Sequence, residues 1–210
     1  MTQLRLRRAA LVVLPVVLLA AAACGNGNNE SSTTTTAGPT TTTTAASTTT
    51  APLTKEAMVL GDEGVGPVTF GTNAAHTIAR FMQALGPGEK NQPLPAGQPC
   101  GATRRVVWAN FQILVNEVTS MSGAGKPGFA GWFLGSPGPH DFKTEKGIGI
   151  GSTVAALKAA YGTDVVIARG ESGPAFTVTA AKGIITGQLD GQGDNNKIKN
   201  IQAGSYCGPA

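Results

Sequence analysis

A chain of 210 residues, 41% hydrophobic and 13% charged, has room for one or two domains and for a sizeable core. Its 16 basic and 12 acidic residues give a formal charge of +4. Three of the cations, Arg5, Arg7 and Arg8, precede an apolar run, and the rest of the chain carries 13 minus 12, or +1. That balance excludes a nucleic-acid partner, which needs a basic stripe to displace counterions.

The basic patch, the apolar run Ala9–Ala23 and the small residues before Cys24 have the order of an export signal, placed at residues 1–23. The run is 15 residues long, short of the roughly 20 that span a bilayer as a helix. It is not amphipathic, and Pro15 would break a buried helix there. Residues 24–53 read as a linker. Between Ser31 and Thr50, 15 of 20 residues are Ser or Thr and none is charged. Such a segment cannot bury enough apolar surface to offset chain entropy, so disorder is expected. Its composition suits an O-glycosylated stalk or a plain spacer.

The stretch Leu19-Ala20-Ala21-Ala22-Ala23-Cys24 resembles the lipobox of bacterial lipoproteins. The resemblance implies that Cys24 is joined to diacylglycerol and becomes the N-terminus of the mature chain. Lipidation there, with palmitate among the acyl groups, would hold the protein on the extracytoplasmic face of the cell membrane, because two or more acyl chains suffice for stable anchoring. The same alanines also suit ordinary signal peptidase, which would release a secreted product.

From residue 54 to 210 the texture changes to short β-rich runs separated by Gly and Pro, enough for one domain. Two segments are alike: residues 68–86, VTFGTNAAHTIARFMQALG, and 148–162, IGIGSTVAALKAAYG. Each reads as an extended piece, a Gly, a hydroxyl residue, an apolar-periodic run and a closing Gly. Ile78, Phe81, Met82 and Leu85 fall on one face of the first helix, and Val154, Leu157 and Tyr161 on one face of the second. Thr72 and Ser152 are the expected N-caps, and Gly86 and Gly162 the expected stops. Strands are expected after the first helix at 104–108, 111–118 and 128–135. After the second they are expected at 164–169, 175–180, 183–189 and 197–203. The order is α-β-β-β twice over, in repeats at about 58–135 and 141–207. The expected class is α+β: two tandem helix-plus-antiparallel-sheet repeats, helices on one face of the sheet. Alternation puts Phe111, Ile113 and Val115 on one face, as it does Phe176 and Val178. It leaves Thr177, Thr179, Thr186 and Gln188 facing water on an open side.

This layout resembles the β-lactamase inhibitory protein fold, in which two helix-plus-sheet repeats place a sheet over a partner. It is also similar to actinobacterial-type envelope lipoproteins of unassigned role, with GVGPVTFG opening the domain and IQAGSYCGP closing it. The resemblance covers roughly residues 58–208. It implies partner contact through the open face, with Trp132 or Phe133 at its edge. Inhibition itself is not carried over, because the inhibitor family has a disulfide within each repeat and this chain has too few cysteines. With Cys24 taken by lipid, Cys100 and Cys207 remain, and in an exported domain a disulfide between them is expected. Closing a loop of about 100 residues corresponds to ~4.7 kcal/mol in the chain-entropy model. Zinc is the rival use of the two thiols, but they and two scattered histidines do not make a ligand set.

No catalytic motif emerges. His76 and His140, the latter beside Asp141 and near Glu145, have no Ser or Cys nucleophile in motif context. The GIGIGST stretch at 147–153 lacks the lysine and spacing of a phosphate loop, so its glycines are read as a strand-to-helix turn. The DGQGDNN stretch at 190–196 departs from calcium-loop spacing and is read as a hairpin connection. Trp108 alternates with Val106 and reads as core. Trp132 and Phe133 are read as core or, alternatively, as a ligand platform. No cofactor, metal or enzymatic activity is expected. The expected function is a binding module for an envelope protein or wall polymer, with a small cell-wall hydrolase using His76 or His140 as base the alternative.

Overall fold

A computed structural model describes residues 51–95, 100–117 and 126–205. The segment expected to be an export signal, Cys24, the Ser/Thr tract and Cys207 lie outside the described residues. The fold is α+β. It opens with a small antiparallel meander of β1 (Leu60–Gly61), β2 (Gly64–Val65) and β3 (Val68–Thr69). Helix α1 (Ala74–Leu85) follows, and then β4 (Lys90–Pro93), β5 (Arg104–Trp108), β6 (Phe111–Asn116) and β7 (Gly128–Gly135). Helix α2 (Val154–Tyr161) leads into β8 (Val165–Gly170), β9 (Gly173–Thr179), β10 (Ile184–Leu189) and β11 (Ile198–Gly204).

The eight longer strands form one sheet in the order β4-β5-β6-β7-β11-β10-β9-β8. Each half is a four-strand meander, and the halves join where the last strand of each, β7 and β11, pair antiparallel with Ile201 opposite Leu134. The sheet is therefore continuous across both repeats. Strand β4 is missed by the sequence pattern, because Lys90-Asn91-Gln92-Pro93 has no apolar alternation. It is exposed along its whole length as an edge strand, the position where Pro and Lys are tolerated.

One face of the sheet carries the core. Phe111, Ile113, Val115, Trp132, Leu134, Phe176, Val178, Ile185 and Ile201 all point into it and are at most 4% exposed. Helix α1 packs over β6 and β7, the small meander over β7, and α2 over β8. Phe81 of α1 meets the rings of Trp108, Phe111 and Phe129 at 6.1, 5.8 and 5.7 Å between centroids, distances at which tilted aromatic pairs attract. Leu53 joins the same core.

Both helices begin one residue later than the hydroxyl pattern predicts. Asn73 caps α1, its side-chain oxygen accepting from the His76 N–H at 3.1 Å, while the Thr72 carbonyl accepts from the Thr77 hydroxyl. Thr153 caps α2 by accepting from the Ala156 N–H at 3.1 Å, and Ser152 Oγ accepts from Gly149 N–H within the turn. Each cap satisfies an N–H that has no partner in the first turn. The next free N–H groups of α2, on Val154 and Ala155, donate to the carbonyls of Asn196 and Asp194. The β10–β11 connection thus completes the helix start. Gly86 and Gly162 end the helices at φ 80° and 56°, as expected of glycine. On α1 the buried stripe is Ala74, Thr77, Arg80 and Phe81, while Met82 is 37% exposed. The expected Ile78–Met82–Leu85 face is therefore turned partly outward. On α2, Val154, Leu157 and Tyr161 are buried as expected.

The disulfide bond expected between Cys100 and Cys207 does not stand as a feature of the described structure: no close pair of Sγ atoms occurs there. Cys100 is the one cysteine among the described residues, since Cys207 lies beyond them. Cys100 is nonetheless not a free thiol.

Candidate functional site

Among the described residues, neither the helices nor the meander packs on the second face of the sheet, where Arg105 and Leu114 are nonetheless buried toward the β5–β6 end. A single row of paired residues crosses this face: Val107, Gln112, Phe133, Gln202, Thr186, Thr177 and Val166. The predicted Thr177, Thr186 and Gln188 lie on this face, half-buried among their neighbours, and Thr179 is exposed at its end. Trp132 does not belong here. It is 0% exposed on the core side, and its indole N–H donates to the Gly61 carbonyl at 2.9 Å. Successive strand residues point to opposite faces, so burying Trp132 turns Phe133 onto the open side.

Phe133 is half-buried between two glycines of its own strand face, Gly131 and Gly135. Its ring lies over Gly135: a Cβ built on that glycine would meet Phe133 Cε1 at 2.8 Å. Beside the ring is a cleft of about 270 Å³, lined by Phe133, Gly135, Gln112, Asn110, Asn200 and Lys199 among others. Asn200 is held by its cross-strand neighbour, accepting from the Gln188 N–H and donating to Gln188 Oε1, both at 2.9 Å. Lys199 is the extra residue where the β10–β11 register shifts between Gln188 and Leu189. It is exposed and is the only charged residue lining the cleft among the described residues.

Sequence reasoning passed over Gln112, Gln202, Asn200 and Lys199. Gln112 and Gln202 were reachable, since each alternates with buried Phe111, Ile113, Ile201 and Ala203. Lys199 was not, because a bulge breaks the period-2 pattern. The chain matches no protein-family model, no curated protein and no solved structure.

A roomier cleft of about 690 Å³ lies at the other side of the fold, between the β1–β2 hairpin, the 144–146 turn, Tyr161 and the β9–β10 turn. Of its charged residues, Asp62, Glu63, Lys146 and Lys182 are engaged within the chain. Lys182 pairs with Glu63 at 2.6 Å, and its N–H donates to Asp62 at 2.8 Å. Lys146 donates to the Ala160 carbonyl at 2.9 Å and stands 4.6 Å over the Tyr161 ring. Burial, more than any neighbouring charge, pushes the Tyr161 hydroxyl above its ordinary pKa. This cluster fastens hairpin, α2 and sheet to one another.

The histidines are placed apart from both clefts' linings. His76 is exposed on α1. His140 stacks on Phe142 with centroids 5.1 Å apart, its backbone N–H and carbonyl both tied to the Asn110 amide at 3.0 Å. Its Nδ1 is buried with no hydrogen-bond partner among the described residues, and burial pushes its pKa down, with Lys55 adding to the shift. Asp141, next to it, turns to Lys143 at 3.5 Å.

Proposed function

We propose that the chain is a binding module, held at the extracytoplasmic face of the cell membrane through Cys24, that presents the open sheet face to an envelope protein or wall polymer. The observation that carries this reading is the cleft at Phe133. An aromatic ring supported by a glycine and flanked by side-chain amides is the mixture of apolar area and fixed polar groups that small binding sites use. The strands that build it come from both halves of the sheet, so the cleft is as rigid as the ladder beneath it. The test is photocrosslinking in intact cells, with a benzophenone side chain placed at Thr186 on the open face or at Ala156 on the exposed side of α2. Adducts from Thr186 and none from Ala156 are the expected result. Adducts from Ala156 alone would overturn the reading.

A further inference from the structure

The large sheet ends in β4 on one side and β8 on the other, and the two edges are unlike. Strand β4 is four residues long, carries Lys90 and ends in Pro93, which has no N–H to offer. Shortness, lysine and proline are the devices that keep an edge from pairing. Strand β8 has neither proline nor lysine, and its Val166 is 61% exposed, the most exposed large apolar side chain among the described residues. The direction of its backbone groups follows from the strand beside it. Arg169 stands opposite Pro174 of β9. A pair containing proline cannot exchange two hydrogen bonds, so this is a non-bonded pair of the ladder. The alternation then turns the N–H and C=O of Ile167 and Arg169, and the C=O of Val165, away from β9. None of these groups has another partner among the described residues. We infer that β8 is a pairing edge whose occupant is the β8 of a second copy of this chain, antiparallel about a two-fold axis at Ile167.

A second copy fits this edge in backbone, side chains and charge. Ile167 exchanges both hydrogen bonds with its own counterpart, and each Arg169 N–H donates to the Val165 carbonyl of the other copy. On the open face Val166 falls opposite Ala168 of the second copy, a large apolar side chain against a small one, and the contact recurs across the axis. Asp164 precedes the strand and Arg169 lies near its far end, so antiparallel pairing brings each charge beside its opposite, where parallel pairing would set like beside like. Glu171 lies in the turn, past the pairing. The arrangement also closes on itself. It uses β8 in both copies and leaves β4 at either rim, where Pro93 and Lys90 stop further growth. Because the axis is perpendicular to the sheet, both open faces stay on one side and join. One strand pair is small beside the ~1,600 Å² of a standard interface, so the dimer is expected to be weak. The inference goes beyond the binding reading above and stands without it.

The experiment is sedimentation of the full chain in density-matched detergent from about 1 to about 200 µM, with cysteine trapping beside it. A monomer–dimer equilibrium is expected over that range. A Val166→Cys chain mixed with an Ala168→Cys chain should form a disulfide-linked pair, because residues opposite each other at a non-bonded position are about 4.5 Å apart at Cα, within disulfide reach. Asn91→Cys on the β4 edge should not link. Ile167→Pro removes an outward donor and leaves the β9 ladder intact. It is expected to weaken association about tenfold or more with little change in melting temperature. Should that variant melt early, Val166→Lys leaves the backbone alone, places a charge on the seam and should weaken association too. A chain that stays monomeric at every concentration, with no link between the Val166→Cys and Ala168→Cys chains, would overturn the inference. Dimers that survive both Ile167→Pro and Val166→Lys, or Asn91→Cys linking as readily, would place the contact elsewhere and overturn it as well. A different protein trapped by Val166→Cys in cells, with no homodimer, would make β8 an edge for another chain and overturn the second copy as its occupant.

Discussion

Trp132 and Gly61, 71 residues apart, are joined by a 2.9 Å hydrogen bond from the indole N–H to the glycine carbonyl. The bond ties β7, the strand at which the two halves of the sheet meet, to the hairpin that covers it. Trp132 is also among the largest fully buried side chains, so it contributes packing and a polar tie together. Trp132→Ala is expected to cost about 3–5 kcal/mol of stability, the usual range for a large aromatic removed from a core. Trp132→Phe keeps most of the volume but leaves the Gly61 carbonyl without its donor, a loss of about 1–3 kcal/mol. Equilibrium unfolding in urea reads both. A midpoint unchanged by Trp132→Ala would contradict this placement of the indole.

Gly187 faces the core in the middle of β10, with Ile201 opposite on one side and Phe176 on the other. A Cβ there would run into the Asn200 carbonyl and the Phe176 ring. The backbone cannot yield without breaking the ladder. Gly187→Ala is therefore expected to destabilise by about 1–3 kcal/mol or more through overpacking. Thr186→Ala, one residue away on the open face, should stay within about 0.5 kcal/mol, as surface changes usually do. Equal melting temperatures for the two variants would rule this account out.

His140 supplies a pH dependence. Burial is the main cause of its lowered pKa, and Lys55 lowers it further while Glu89 opposes. The unfolded chain, with an ordinary histidine near 6.5, then binds a proton more readily than the folded one. Stability from this group is fully present above the unfolded pKa and is lost as pH falls through about 6.5 and below the folded value. Melting temperature should drop from pH 8 to pH 5. His140→Gln should flatten that part of the slope, and an unaltered slope in the variant would place its cause elsewhere.

The anchor is tested by chemistry at Cys24. Cys24→Ala is expected to move the protein from the membrane fraction to the medium, or to leave it as an unprocessed precursor. Intact mass of the N-terminal peptide should show acyl groups in the parent chain. A peptide from the parent chain bearing no acyl mass would remove the membrane from the proposed function.

Much of this fold is written locally. The apolar spacing of α2, the closing glycines, the strands from β5 to β11 and the alternation that turns Thr177, Thr179, Thr186 and Gln188 away from the core can all be read from neighbouring residues. Helical and strand periods are properties of a short stretch of chain. The α+β class follows from the order of those stretches.

What the sequence could not decide depends on who stands opposite whom. Trp132 and Phe133 are equally plausible anchors in one dimension, because parity requires that one face in and one face out without saying which. Only the register of β7 against β6 and β11, with Trp132 opposite Ile113 and Ala203, settles it. The same holds for β4, whose polar residues become a strand because β5 offers an unpaired edge. It also holds for the cleft, since Gln112 of β6 and Asn200 of β11 flank β7 and meet Phe133 and Gly135 through cross-strand pairing. Local periodicity determined the elements. Long-range hydrogen bonding and packing, which no short window of sequence contains, determined the face they build.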